Sequence, residues 1–130
     1  ISFFKTLPLA LERSDLQAVH ACWHQPSIDI LKAYTDSAMT AFQCFATSIE
    51  RQNQQDENQI RRDLRKQNDN PIKVLTSGLE EPAKKPYFAG GMQRHLTRSA
   101  WWKNYSGKPT IIGHYWRRIK PMDWLVIFSE

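Results

Sequence analysis

A chain of 130 residues, 24% charged and 12% aromatic, has the length and chemistry of one folded domain, residues 1–130, and not of a disordered tail. No apolar run approaches the roughly 18 residues of a membrane span, so a membrane partner is not expected. The net charge of +5 is unevenly spread: Lys84 to Pro121 holds nine Lys and Arg and no acid, while the remainder sets nine bases against thirteen acids. A segment of that sign favours phosphate esters, nucleic acid or an acidic protein.

In chain order, Leu7, Leu9 and Leu11 alternate, Arg13-Ser14-Asp15 supplies a turn, and Leu16 to Ala21 is a second apolar run. The pattern predicts a β-hairpin. Pro26 and Ser27 then signal a helix start, with Asp29 early where the helix dipole favours an acid. Leu31, Tyr34, Ala38, Phe42, Phe45 and Ile49 step by three or four and form an apolar stripe, with Thr35-Asp36 as a point where the helix could divide. Residues 52–70 are polar, and Ile60 and Leu64 support a helix over part of them, stopping between Asn68 and Pro71. Residues 72–102 are expected to be irregular, broken by Ser77-Gly78, Pro82, Pro86 and Gly90-Gly91. Thr110 to Ile112 and Trp124 to Phe128 are the last two strand candidates.

Cys22 and Cys44 make no disulfide framework, which suggests a reducing, cytoplasmic setting. Ile1 to Leu11 is too short, and too interrupted by Lys5 and Pro8, to resemble a secretory leader. A start at Ile1 suggests a cut or processed end.

His20 and His114 share one local setting. Each closes a short apolar run, and each is followed within three residues by tryptophan, in His-Ala-Cys-Trp and Gly-His-Tyr-Trp. Side chains at the C-terminal ends of strands point into ligand crevices, and a neutral imidazole there serves as metal ligand or general base; otherwise each is a buried histidine beside an aromatic ring. His24 is four residues after His20, but the intervening strand end need not bring the two rings together. Cys22 could pair with either histidine as a nucleophile, or fill the core. Arg94 and Arg98 precede Trp101-Trp102, a composition suited to phosphate or to single-stranded nucleic acid.

Five pieces in order, FFKTLPLAL, LQAVHACWH, SGLEEP, the Arg94-Arg98-Trp101-Trp102 set and PTIIGHYWR, resemble the C-terminal half of a calcineurin-like metallophosphoesterase. The resembling branch is the bacterial one similar to serine/threonine protein phosphatases and diadenosine tetraphosphatases. The resemblance implies an α+β or α/β fold, namely part of a β-sandwich with a helical segment inserted at about residues 27–68. It implies hydrolysis of phosphate esters, on phosphoproteins or phosphorylated small molecules such as dinucleoside polyphosphates. It also implies divalent Mn, Fe or Zn ions held in part by His20 and His114. Arg94 and Arg98 become phosphate contacts, and Trp23, Tyr115 and Trp116 line the site. The family's Gly-Asp and Asn-His-Glu motifs are absent from the sequence. The chain is therefore expected to be the half-domain without the N-terminal metal-binding half, inactive alone, and paired with that half or with a second copy. The alternative is a non-catalytic module that binds nucleic acid or another polyanion through residues 84–121.

Overall fold

The computed structural model describes residues 7–115 and the backbone of residues 126–127. In chain order the elements are β1 (Ala10–Glu12), β2 (Gln17–Val19), α1 (Gln25–Lys32), α2 (Ala38–Asn53), α3 (Gln59–Asn68) and α4 (Pro71–Ser77). They are followed by β3 (Glu80–Ala89), β4 (Met92–Arg98), a 3-10 turn (Trp101–Asn104), β5 (Thr110–Ile112) and β6 (Val126–Ile127). The mixture of helices and two small sheets makes the fold α+β.

The larger sheet has the order β1-β2-β5-β6. β1 and β2 are the antiparallel hairpin expected around Arg13 to Asp15, and the Arg13 amide donates to the Leu16 carbonyl at 2.8 Å. β2 and β5 are parallel although about ninety residues separate them, with Val19 opposite Ile112. A buried polar knot fixes this join. The Tyr105 hydroxyl donates to Gln17 Oε1 at 2.6 Å, and the Thr110 hydroxyl donates to the Lys108 carbonyl at 2.9 Å. Gln17 and Thr110 are both buried, so leaving either unpaired would cost about 1–3 kcal/mol.

The two faces of this sheet have different fates. Val19 points into the core with Trp23, Ile28 and Leu75, and Ala10, Ile112, Trp101 and Tyr105 pack against that cluster. On the opposite face Leu11, Ala18 and Ile111 stand in register across three strands. Leu11 is 59% exposed and Ile111 50% exposed. Side chains alternate along a strand, so β1, β2 and β5 are covered on one side and bare on the other.

The expected apolar stripe is interrupted. α1 begins with Pro26 in its first turn and ends at Lys32, and α2 restarts at Ala38, where the Ser37 hydroxyl accepts from the Thr40 amide at 3.2 Å. That cap is worth about 1 kcal/mol. Tyr34 lies between the two helices and folds its ring back to 5.3 Å from that of Phe45. α3 buries no residue completely and is held by polar contacts. Buried Asn53 donates to the Arg62 carbonyl at 3.2 Å and accepts from Arg65 at 3.1 Å, while Arg65 also pairs with Asp56 at 2.7 Å.

Residues 72–102 are far more regular than expected. α3 stops at Asn68 as expected, and Pro71 then opens a further helix, α4, because a proline at the first helical positions loses no required amide bond, and Asn70 caps the Ile72 amide. Two prolines in β3 suggested a broken segment. The pairing in fact slips between Pro82 and Tyr87 and resumes through Ala89↔Met92. Gly90 and Gly91 both have positive φ, which closes the tight turn into β4.

Candidate metal centre

Parallel pairing brings the C-terminal ends of β2 and β5 to the same end of the sheet, with His20 one residue beyond β2 and His114 two beyond β5. The ladder continues one step further, since the Gly113 amide donates to the His20 carbonyl at 3.0 Å. His114 then takes a left-handed backbone conformation, φ 65°, which a residue with a Cβ adopts rarely and at a cost. The two imidazole centres lie 5.3 Å apart at 67°. Two imidazoles sharing one tetrahedral cation, with nitrogens at about 2.0–2.1 Å, put their ring centres about 5 Å apart.

Electrostatics favour the uncharged ring that a metal needs. Partial burial holds the His114 pKa below the usual histidine range, reinforced by the positive charge of Arg98. Both residues are exposed and open to further ligands. Among the described residues no third His, Cys, Asp or Glu joins them in a metal-holding group. Two neutral nitrogen donors would fill half of a tetrahedral sphere.

The remaining candidates divide. Arg98 lies near enough to act on His114, but its charge is shared with Glu80 in an ion pair of 2.6 Å. Arg94 sits four residues away along β4, exposed, with its Nε donating to the Ala89 carbonyl at 3.4 Å. The two arginines therefore do not form one phosphate clamp. The Tyr115 ring is 5.5 Å from His114 and 4.8 Å from Trp102. Trp23 is a core residue, 7% exposed, and its indole donates to Gln25 at 3.3 Å. Trp116 lies outside the described residues.

His24 is separate from the pair. It occupies the N-cap position of α1, its Nδ1 is 2.8 Å from the Ser27 hydroxyl, and burial lowers its pKa. Cys22 is buried and its thiol is pushed up to about 12 by burial, so it fills the core and does not act as a nucleophile.

Three residues near the histidine pair had no role assigned from the sequence, although Gly78 and Glu80 lie in the SGLEEP piece. Gly78 ends α4 with φ 84°, and a Cβ there would collide with the Tyr115 hydroxyl. This contact joins the SGLEEP and GHYW segments in space. Glu80 holds Arg98, and Asn68 holds Glu80. The Asn68 side chain donates to the Glu80 carbonyl at 2.8 Å and accepts from its amide at 2.9 Å. No spacing rule links residues 68, 80 and 98, and only the Ser-Gly punctuation hinted that something ends at 78.

Of the nine bases between Lys84 and Pro121, Arg98 and Lys108 are neutralised by carboxylates from other segments, Lys108 by Glu12 at 2.8 Å. Arg117, Arg118 and Lys120 lie outside the described residues. The chain matches no family model, no curated protein and no solved structure.

Proposed function

We propose that the chain supplies the two-histidine half of a metal centre in a calcineurin-like metallophosphoesterase, with phosphate esters as substrates. The observation that carries this reading is the 5.3 Å approach of His20 and His114 at neighbouring parallel strand ends. When bound, a divalent Mn, Fe or Zn ion would polarise the phosphoryl oxygens and activate a water. The chain's own residues have narrower tasks. His20 and His114 would hold the ion without cancelling its charge. Arg98 stands near them, its direction fixed and its charge shared by Glu80.

The bare sheet face supports the half-domain reading. Leu11, Ala18 and Ile111 form an apolar row on the face to which His20, two residues after Ala18, also belongs. A second β-layer laid on that row would bury it and place its own strand ends beside His20, where the missing carboxylate donors are needed. A second copy of the chain could cover the row but would bring no family motif. Alone, the chain is expected to hydrolyse p-nitrophenyl phosphate weakly or not at all.

Calorimetric titration with inorganic phosphate tests the reading. Phosphate is expected to bind the Mn²⁺-loaded chain, and binding should vanish without metal or in the His20→Ala/His114→Ala variant. Phosphate binding that is unchanged in that variant contradicts the proposal.

A further inference from the structure

Next to the histidine pair, the β3–β4 hairpin and α3 enclose a groove of about 550 Å³, within the range of sites that bury a small organic molecule. The groove is lined by Glu80 and Tyr87 of β3, by residues 92–96 and Arg98 of β4, and by Asp63 of α3. Arg98 stands at the end of the groove with Glu80, two residues after Gly78, which abuts Tyr115, whose ring is 5.5 Å from that of His114. Arg94 is four residues further along, about 13 Å at the usual strand rise.

Tyr87 and Arg94 are direct register partners. The Tyr87 hydroxyl donates to the Leu96 carbonyl at 3.0 Å, which fixes the ring while leaving the residue 44% exposed. Among the described residues Arg94 is in no ion pair. A phenol ring held in place at the surface is a platform on which another flat ring stacks. The charges in the groove balance, with Arg94 and Arg98 against Asp63 and Glu80. That balance suits an uncharged ring and disfavours a polyanion.

We propose that this groove binds the leaving group of the phosphate ester and selects one with a flat, uncharged aromatic ring. The inference rests on the reading of His20 and His114 as the phosphoryl end. Aryl phosphates and nucleoside monophosphates share the required chemistry, so separate probes identify the source. The full chain, loaded with Mn²⁺, is titrated calorimetrically with inorganic phosphate, O-phosphoserine, O-phosphotyrosine and adenosine monophosphate. At least one aromatic ester should bind about 10-fold or more tightly than phosphoserine and phosphate, the usual yield of one stacked ring. Tyr87→Ser and Arg94→Gln should each reduce that preference and leave phosphate binding unchanged. Phe88→Ser, on the same hairpin but outside the groove lining, should leave the preference intact. Equal affinity for all four probes, or a preference that survives both groove variants, overturns the proposal. Loss of phosphate binding in the wild type counts against the histidine pair, whereas loss of the ratio alone counts against the groove.

Discussion

The histidine pair and the neighbouring hairpin are positioned by different kinds of interaction. His20 and His114 are placed by main-chain pairing of β2 with β5, extended by the Gly113 amide on the His20 carbonyl. The β3–β4 hairpin meets the rest of the molecule through side chains, with Asn68 gripping both backbone groups of Glu80 and Gln67 donating to the Gly78 carbonyl at 2.7 Å. Backbone pairing over a packed core tolerates most surface changes. A junction made by two amide side chains can be loosened by one substitution. The histidine pair is therefore expected to tolerate substitution around it better than the hairpin does.

The largest expected effect breaks both regions together. Leu75 is 1% exposed in the core under the strand ends, and its carbonyl accepts from the Ala21 amide at 2.9 Å. Leu75→Ala should cost about 2–5 kcal/mol, read as a lower urea midpoint with metal and groove binding weakened together. A loss under 1 kcal/mol would mean that the core does not support the site. A smaller effect should separate the two regions. Asn68→Ala removes both contacts with Glu80, at about 1–2 kcal/mol. It should speed amide exchange in 80–98 while leaving that of 17–20 and 110–113 unchanged. Equal acceleration in both regions would erase the distinction drawn between them.

The smallest effect concerns pH. Burial places His24 and His114 below the usual histidine range. The unfolded chain therefore takes up protons first on acidification, so stability falls as pH drops below about 6.5 and levels off below the folded-state values. The carboxylates Glu12, Asp15 and Asp56 are held low by Lys108, by Arg13 and by the Asn58 amide respectively, so their contribution is lost only at more acid pH. Urea midpoints at pH 7.5 and 5.5 should show the decline, and His24→Asn, which removes the titrating ring and suits an N-cap position, should reduce it. A midpoint that rises toward pH 5.5 would contradict this assignment.

How much was legible in the sequence follows the same division. Leu7 to Ala21 and Thr110 to Ile112 alternate or run apolar between clear turns, so their strands could be read directly. The start of α1 was visible in Pro26-Ser27, and the break near Thr35-Asp36 in the local chemistry. The shared setting of His20 and His114 hinted that they belong together, although their parallel pairing is a long-range fact. The hairpin was hidden because Pro82, Pro86 and Lys84-Lys85 interrupt its alternation, and the pairing slips there. α4 was hidden because Asn70-Pro71 marks a start as readily as a stop. Glu80 and Asn68 gave no signal, since their roles exist only once α3 and β3 meet.

The central claim is that His20 and His114 share one cation. Titration of the chain with Co²⁺, followed by visible absorption, tests it directly. One ion per chain is expected, with a spectrum that disappears in either His20→Ala or His114→Ala and persists in His24→Ala. Binding that survives loss of both His20 and His114, or that depends on His24, would contradict the account.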